Sequence, residues 1–253
     1  MQLADMKWTD VAALSRDTPI VFPVAALEQH GRHMPLFTDS MLLGEVVRRA
    51  AERLADRVVF APLVWLGNSD HHLDFPGTLS APPRMYLDML GALLDNFIMH
   101  GFRRLVFING HGGNVTPGKQ AVFEARQRYR QRSDLMLLFA TYWDLGGKPT
   151  AVDQSIHQPE MGHACEWETS MMLRIAPHLV SGHQSVEPVD RGFPLAPATR
   201  GWTTKDRSDP GHMGDPRNAT AEKGETLFRV FSDDLVKFLE KVASARSTGW
   251  WDG

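Results

Sequence analysis

Acidic and histidine side chains crowd a short segment near the N-terminus, directly after a run of hydrophobic residues. The segment reads EQHGRHMPLFTD and spans residues 28 to 39. Glu28 and His30 are two residues apart, so both side chains project from the same face if the backbone is extended. Asp39 stands just before a helical pattern. The segment is either a metal site or a polar turn in which Asp39 caps a helix, and by itself it favours neither.

A glycine-rich turn, NGHGGN, follows a second hydrophobic run at residues 109 to 114 and carries His111. Glycines there let the backbone turn sharply and leave space around the imidazole. The overlapping stretch GNVTPGK, at 113 to 119, also matches the start of a phosphate-binding loop. Gln120 stands where such a loop needs a Ser or Thr hydroxyl for magnesium, and Pro117 removes a backbone donor. The turn therefore disfavours nucleotide binding and leaves His111 as a candidate ligand.

A third polar cluster, HACEWETS at 163 to 170, leads into a helical pattern. On a helix, His163 and Glu166 are three residues apart and share a face, whereas Glu168 points elsewhere and is expected to cap the helix or support a ligand. Carboxylates at a helix start also complement the helix dipole without any metal. The combination changes the balance, because five nitrogen and oxygen ligands with one shared carboxylate suit two Zn²⁺ or Mn²⁺ ions. The predicted ligands are Glu28, His30, Asp39, His111 and Glu166.

Other chemistry-bearing residues stay open between a site role and a structural one. His71, His72 and Asp74 precede the turn FPGTLS, where they either line a pocket, supply a further ligand or form polar surface. Cys165 lies near His163 and raises the possibility of a cysteine nucleophile. Two residues apart on a helix do not face each other, so that pair is poorly placed for such chemistry.

The elements that must position these clusters alternate along the chain. Apolar runs at 19 to 27, 57 to 66, 103 to 110 and 134 to 143 predict four strands, and helical patterns fall at 40 to 55, 83 to 100, 116 to 132 and 225 to 245. This alternation predicts an α/β fold with a mainly parallel sheet covered by helices on both faces. Ligands bind beyond the carboxyl ends of such strands, which is where the clusters fall. The less periodic stretch from about 176 to 220 is expected to be functional or to form an interface.

Composition limits the remaining function classes. The 253 residues fit one domain spanning 1 to 253, and the net charge of −3 gives no sign of a broad nucleic-acid-binding surface. A single cysteine fits a reducing cytoplasm, and no segment reads as a signal peptide or a membrane span. We therefore expect a cytoplasmic protein with a small-molecule substrate, and neither nucleic acid nor membrane as a partner.

Five segments, spread from near the N-terminus to the final helix, resemble the creatininase (creatinine amidohydrolase) family. They are EQHGRHMPLFTD, FPGTLS, NGHGGN, HACEWETS and GDPRNATAEKGE. The resemblance implies a three-layer α/β/α sandwich, a homohexamer and two divalent ions, Zn²⁺ or Mn²⁺. It assigns Glu28, Asp39 and His111 to one ion and His30, Asp39 and Glu166 to the other, so that Asp39 bridges them. His163 then handles a proton or steadies the oxyanion, and His72, Tyr142 and Trp143 lie near the substrate, although core packing explains Trp143 equally well.

The implied reaction is hydrolysis of a C–N bond in a small cyclic amide or formamide, with a hydroxide between the two ions as the nucleophile. The alternative is hydrolysis of a C–C bond in a cyclic polyhydroxy ketone such as 3-dehydro-scyllo-inosose. In creatininases proper, Tyr and Glu follow the histidine of the third strand, and that Glu is a metal ligand. Here Gly112 and Gly113 stand in those positions, so the missing ligand must come from another segment. The substrate therefore need not be creatinine.

Overall fold

Four parallel strands form the centre of the chain. The structure is a computed structural model that describes residues 1–190, 192, 195 and 197–245. The strands lie in the order β2-β1-β3-β4, and every neighbouring pair is parallel. Their bounds are β1 Ile20–Val24, β2 Val59–Phe60, β3 Arg104–Asn109 and β4 Met136–Thr141. The predicted strands are confirmed in position and direction, although each is shorter than its apolar run.

The second strand shows why the apolar runs overstate strand length. Only Val59 and Phe60 belong to the regular ladder, whereas the apolar run continues to Leu66. Pro62 has no N–H to donate, so the regular ladder ends before it. The backbone nevertheless stays beside β1, because the Val64 amide donates to the oxygen of Pro23 at 2.9 Å.

Eight α-helices surround the sheet within the described residues. Their bounds are α1 Trp8–Ala13, α2 Thr38–Leu54, α3 Pro83–Met99, α4 Val115–Arg128, α5 Pro149–Val152, α6 Glu166–Ile175, α7 Thr204–Arg207 and α8 Ala221–Ser244. The four long helices predicted from the sequence correspond to α2, α3, α4 and α8. None of the helices in the described part of the chain is both long and apolar enough to cross a membrane.

Alternate residues of each strand face two separate cores. On one side of the sheet, Val106 and Ile108 of β3 pack with apolar residues of α2, α6 and α8. On the other side, Leu105 and Phe107 pack with residues of α3 and α4. All four side chains have no solvent exposure. The sheet is therefore buried on both faces, which confirms the predicted three-layer α/β/α architecture. The predicted domain reaches residue 253, and its last eight residues lie outside those that the structure describes.

Candidate metal centre

Buried acidic and histidine side chains converge beyond the carboxyl ends of β1 and β3. We call them the carboxylate–imidazole cluster, defined as Glu28, His30, Asp39, His111, His163 and Glu168. Each is at most 9% exposed. Glu28 and His30 follow β1, Asp39 lies in the first turn of α2, and His111 follows β3. The parallel sheet thus brings Glu28 close to His111, although 83 residues separate them in the sequence, as the strand-end argument predicts.

The Asp39 side chain lies between two histidines and does not cap the helix. Its Oδ1 is 3.0 Å from His30 Nε2, and its Oδ2 is 2.9 Å from His111 Nδ1. Helix α2 has no side-chain cap, because Phe37 occupies the N-cap position. The capping interpretation of Asp39 is therefore wrong. Each of its carboxylate oxygens faces a different imidazole, which is the geometry of a bridging group.

In both of these histidines, the other ring nitrogen donates a hydrogen bond to a backbone carbonyl oxygen. His30 Nδ1 lies 3.1 Å from the Glu28 oxygen, and His111 Nε2 lies 2.9 Å from the Asn68 oxygen. A carbonyl oxygen only accepts, so these nitrogens carry the ring protons. In the neutral rings, the nitrogens that face Asp39 are then unprotonated. Histidine ligands in metal sites commonly have this arrangement, because the outer hydrogen bond fixes the ring and its tautomer.

Three carboxylate oxygens of the cluster are buried without hydrogen bonds. They are Glu28 Oε1, Glu28 Oε2 and Asp39 Oδ2, none of which has a hydrogen-bond partner among the described residues. Burying a charged oxygen without a partner is costly. When the imidazoles are neutral, these acceptor oxygens face unprotonated ring nitrogens, and such a set of donors fits the first coordination sphere of a cation. The residues present therefore fit the divalent metal that the sequence predicts.

In the metal-free cluster, burial and the neighbouring charges shift the pKa values of several groups. Burial alone lowers the pKa of His111, but the carboxylates of Glu28 and Asp39 outweigh it and raise that pKa to about 10. The same competition between burial and Asp39 raises the pKa of His30 well above its ordinary value. Burial raises the pKa of Glu168. A bound cation would replace the protons that compensate these carboxylates, so proton and metal compete for the cluster.

Glu166 is the one predicted ligand that the structure does not bring to the cluster. Its carboxylate lies 2.7 Å from Lys223 Nζ and accepts from the backbone amides of His157 and Gln158 at 3.0 and 2.7 Å. Glu166 and Lys223 are both buried, so this ion pair joins α6, α8 and the segment before α6. Glu168, two residues further on, points the other way.

The residue at which α6 begins explains this difference from the sequence prediction. The helix begins at Glu166, and His163 lies before it in an extended bridge to Met213. Ala164 has a positive φ of 50°, which turns the chain between the two. Helical spacing therefore does not relate His163 to Glu166. Glu168 Oε1 lies 3.8 Å from His30 Nε2, and its Oε2 accepts from the Ala164 amide.

Gly113 of the turn after β3 has no room for a side chain, so an acidic ligand cannot come from this position. A Cβ atom at Gly113 would lie 2.1 Å from the Asn68 oxygen and 2.5 Å from His111 Nε2. It would collide with the hydrogen bond that orients the His111 ring. A Cβ atom at Gly112 meets nothing within 4 Å. The turn is therefore closed to a side chain at one glycine and open at the other.

His163 and His72 both approach the Glu28 carboxylate from the side of a cavity. His163 Nδ1 is 3.6 Å and His72 Nε2 is 3.2 Å from Glu28 Oε1. Burial lowers the pKa of His72 to about 3 and lowers that of His163 well below its ordinary value, so both rings are neutral. Gln29, which the sequence analysis missed, contacts both rings. Its only sequence signal is its position between the predicted ligands Glu28 and His30.

The cavity has a volume of about 710 Å³ and opens directly above the cluster. Trp143 lines it, whereas Tyr142 is 2% exposed and packs against Phe231 at 5.2 Å between ring centroids. The prediction that Tyr142 contacts substrate is therefore not supported by its position, because the chain turns after β4 and sends this ring into the core. The remaining lining is mixed. It includes His71, His72, Met161, Trp202, Arg200 and Arg207.

The other candidates lie in varied surroundings. His71 stacks on His111 at 5.8 Å and lines the cavity, whereas Asp74 is exposed and does not. His33 is buried and does not line the cavity. Its Nε2 lies 3.1 Å from the Thr169 hydroxyl oxygen. Burial raises the pKa of the Cys165 thiol to about 11, which opposes a role as nucleophile.

A sequence profile of the creatininase family, described as creatinine amidohydrolase, matches residues 4–239. The chain belongs to the creatininase family. Mycofactocin precursor peptide peptidase of Mycobacterium tuberculosis H37Rv is 32% identical over 237 residues, which cover 88% of this chain and 85% of that protein. Creatinine amidohydrolase of Pseudomonas putida is 29% identical over 248 residues, with coverage of 90% and 92%. A 3-dehydro-scyllo-inosose hydrolase of Thermotoga maritima is 27% identical over 179 residues, with coverage of 69% and 55%.

Solved structures of creatininase share the fold of this family member. A mutant creatininase complexed with creatine has a TM-score of 0.82 at 27% identity, covering 96% of this chain and 98% of that one. A creatininase described as its Mn form has a TM-score of 0.80, again at 27% identity, with coverage of 95% and 97%. A further mutant is described as a Zn-Zn type, at 28% identity, a TM-score of 0.80 and the same coverage. The chain is therefore a creatininase-family hydrolase with a buried cluster that can bind metal.

Proposed function

We propose that the chain is a dinuclear metal-dependent hydrolase that cleaves an amide C–N bond. The observation that carries the proposal is the set of unpartnered carboxylate oxygens on Glu28 and Asp39, of which Glu28 Oε1 and Asp39 Oδ2 face His111 Nδ1, while the other oxygen of Asp39 faces His30 Nε2. Carboxylate oxygens and imidazole nitrogens are the donors that Zn²⁺ and Mn²⁺ accept. Related creatininase structures are described as Zn-Zn and Mn forms, which supports the same choice of metal here.

The ligands divide into two sets that share Asp39. Glu28, Asp39 Oδ2 and His111 Nδ1 form the first set. His30 Nε2, Asp39 Oδ1 and Glu168 Oε1 form the second. Glu168 replaces Glu166 in the set implied by the sequence resemblance, because only Glu168 reaches His30. Metal ions held by these residues would supply a bound water of lowered pKa and would polarise the carbonyl of the substrate.

The chain's own residues supply orientation and proton transfer. His163 presents its Nδ1 beside Glu28, at the boundary between the cluster and the cavity. From there it can accept a proton from the attacking water and return it to the leaving nitrogen. Trp143 and Trp202 form flat apolar walls, and His72 lines the cavity with its Nε2 3.2 Å from Glu28 Oε1.

The relatives that this chain matches over most of their length favour amide hydrolysis over C–C cleavage. Those that match most of their own length are described as a peptide peptidase and an amidohydrolase. The chain covers only 55% of the inosose hydrolase. A cavity of about 710 Å³ has room for a ligand larger than a single small ring. The proposed substrates therefore extend from cyclic amides and formamides to the end of a short peptide.

The experiment compares chelator-stripped protein with protein reloaded with Zn²⁺ or Mn²⁺. The substrate panel contains creatinine, a formamide, short peptides and 3-dehydro-scyllo-inosose. We expect hydrolysis of an amide by the loaded protein only, and loss of that hydrolysis in His163→Gln at unchanged metal content. Turnover that survives complete metal removal contradicts the dinuclear mechanism. Turnover of the cyclic ketone alone replaces the amide proposal with C–C hydrolysis.

We further propose, from the family resemblance, that the chain is a cytoplasmic homohexamer. Light scattering on the purified protein then gives six times the chain mass of 28.4 kDa. A mass of one chain contradicts this assembly.

A further inference from the structure

The side-chain amide of Gln29 is held in one orientation by two backbone groups. Its Oε1 accepts from the Gly31 amide at 2.9 Å, and its Nε2 donates to the Gly211 oxygen at 2.6 Å. A backbone amide only donates and a carbonyl only accepts, so the two ends of the Gln29 side chain cannot be exchanged. Gly211 has a φ of +89°, and a Cβ atom there would lie 2.2 Å from Gln29 Oε1. The backbone thus approaches the amide closely only because residue 211 is glycine.

One N–H of Gln29 remains after the bond to Gly211, and two imidazoles lie within its reach. His72 Nδ1 is 2.8 Å from Gln29 Nε2, and His163 Nε2 is 3.0 Å from it. An amide nitrogen has no acceptor lone pair, so the ring nitrogen that receives this N–H must be unprotonated. The backbone oxygen of Gln29 also lies 2.9 Å from His163 Nε2. This second contact decides between the two possible partners.

The first possibility is that the N–H of Gln29 goes to His163 Nε2. That nitrogen then places its lone pair against the backbone oxygen of Gln29, and His72 Nδ1 lies 2.8 Å from an amide nitrogen that offers it no proton. Two short contacts would be repulsive. The second possibility is that the N–H goes to His72 Nδ1, while His163 Nε2 donates to the backbone oxygen of Gln29. Every close acceptor then receives a proton, and the hydroxyl of Thr204, 3.0 Å from His72 Nδ1, can donate as well.

We infer that Gln29 fixes His72 and His163 as the same tautomer, with the proton on Nε2 of both rings. The two rings have opposite orientations at the cluster, so the same tautomer gives them opposite roles. His163 presents an unprotonated Nδ1 to the cavity, 3.6 Å from Glu28 Oε1. His72 presents a protonated Nε2 at 3.2 Å from the same oxygen.

This assignment deepens, and rests on, the proposed hydrolase function. His163 is the ring that can accept a proton from the attacking water through Nδ1. His72 cannot bind a metal through Nε2 and instead presents an N–H at the cavity, where a substrate oxygen can accept it. Gln29 does not line the cavity, so it acts through these rings as a positioning residue.

The test is the solid-state ¹⁵N spectrum of Zn²⁺-loaded protein labelled at histidine. The signals are assigned by comparison with His72→Gln and His163→Gln. We expect both rings of the wild-type protein to be protonated at Nε2 and unprotonated at Nδ1. A protonated Nδ1 on either ring in the wild-type protein overturns the inference, and this outcome requires no folded variant of Gln29.

Variants then test whether Gln29 sets the tautomer. Gln29→Glu removes the donor, so the His72 ring is expected to move its proton to Nδ1. Thr204→Val is the matched control, because it removes the weaker contact to His72 and leaves Gln29 in place. Its spectrum should match that of the wild type. If Gln29→Glu does not fold, Gln29→Leu should give a mixture of His72 tautomers. Unchanged spectra in the folded Gln29 variants contradict the inference.

Kinetics separate the inference from the proposed function. A wrong tautomer of a catalytic histidine costs up to about 10⁴-fold in kcat in serine proteases. We expect Gln29→Leu to lose roughly 10²-fold in kcat with KM and metal content little changed, since a base contributes about 10² to 10⁴ in total. A wild-type protein that hydrolyses nothing, yet has the expected tautomers, refutes the hydrolase proposal alone. An active enzyme with the other tautomers refutes only this inference.

Discussion

Replacement by glutamine should have different effects at two acidic residues that lie two positions apart on one helix. Glu168 faces His30 in the cluster, whereas Glu166 pairs with Lys223 on the other side of α6. Glu168→Gln should remove metal, and Glu166→Gln should remove stability. The two substitutions are chemically identical, lie in the same helical turn and serve as matched controls for each other.

The magnitude for Glu168 follows from the charge that the substitution removes. Two unit charges about 4 Å apart interact by roughly 4 kcal/mol at an effective dielectric constant of about 20, and we take this value as the minimum for a carboxylate beside a divalent ion. Each 1.4 kcal/mol is a factor of ten, so the affinity of the second site should fall by about 10³-fold. After dialysis the variant should retain about one ion per chain, and kcat should fall by a comparable factor because one Lewis acid is lost.

The magnitude for Glu166 follows from its burial. Glu166 and Lys223 are 2% and 7% exposed, and their charged atoms are 2.7 Å apart. Removing one partner of such a pair costs about 3 to 5 kcal/mol, because the other charge stays buried. For a chain of this length that corresponds to a fall in Tm of roughly 6 to 20 °C. Metal content should stay at two ions per chain.

Elemental analysis after exhaustive dialysis and thermal unfolding of the same samples measure both quantities. The opposite pattern refutes the placement of the second metal: one ion lost in Glu166→Gln, and none lost in Glu168→Gln. Equal loss of metal in both variants also contradicts it, because Glu166 pairs with Lys223 and does not contact the cluster.

Three further predictions follow from the cluster. Replacing His163 by Gln should lower kcat by about 10² to 10⁴-fold while both ions stay bound, as measured by steady-state kinetics and elemental analysis. Gly113→Ala forces a Cβ against the Asn68 oxygen and should cost about 1 to 3 kcal/mol and 10 to 100-fold in metal affinity, whereas Gly112→Ala should change neither in denaturation and metal titration. In the metal-free folded protein the pKa of His111 is raised to about 10. Protonation of His111 therefore stabilises the fold fully below about pH 6.5, and this stabilisation is lost as the pH rises towards 10. The Tm gained on adding Zn²⁺ should therefore grow over that range, and a constant gain contradicts proton–metal competition.

The sheet and its helices were predictable because local patterns report burial. Each strand alternates between two cores, and both cores are apolar, so β1 and β3 appear as nearly continuous hydrophobic runs. The strand-end rule then places Glu28, His30 and His111 at one edge without any knowledge of tertiary contacts. These parts of the site depend on short-range periodicity and on parallel topology alone.

The choice between Glu166 and Glu168 was not predictable in the same way. It depends on where α6 begins, and that point is set by the bridge between His163 and Met213, which are fifty residues apart. The role of Gln29 depends on contacts with His72, His163 and Gly211, at separations of 43, 134 and 182 residues. No local pattern encodes such distant pairings. Predictions therefore succeeded where one element determines the geometry and failed where several distant segments determine it together.

Anomalous diffraction from crystals of the Zn²⁺-loaded protein tests the central claim most directly. We expect two zinc peaks per chain with Asp39 as a shared ligand. Glu28 and His111 coordinate one of them, and His30 and Glu168 coordinate the other. A single peak, or a peak whose carboxylate ligand is Glu166, would contradict it.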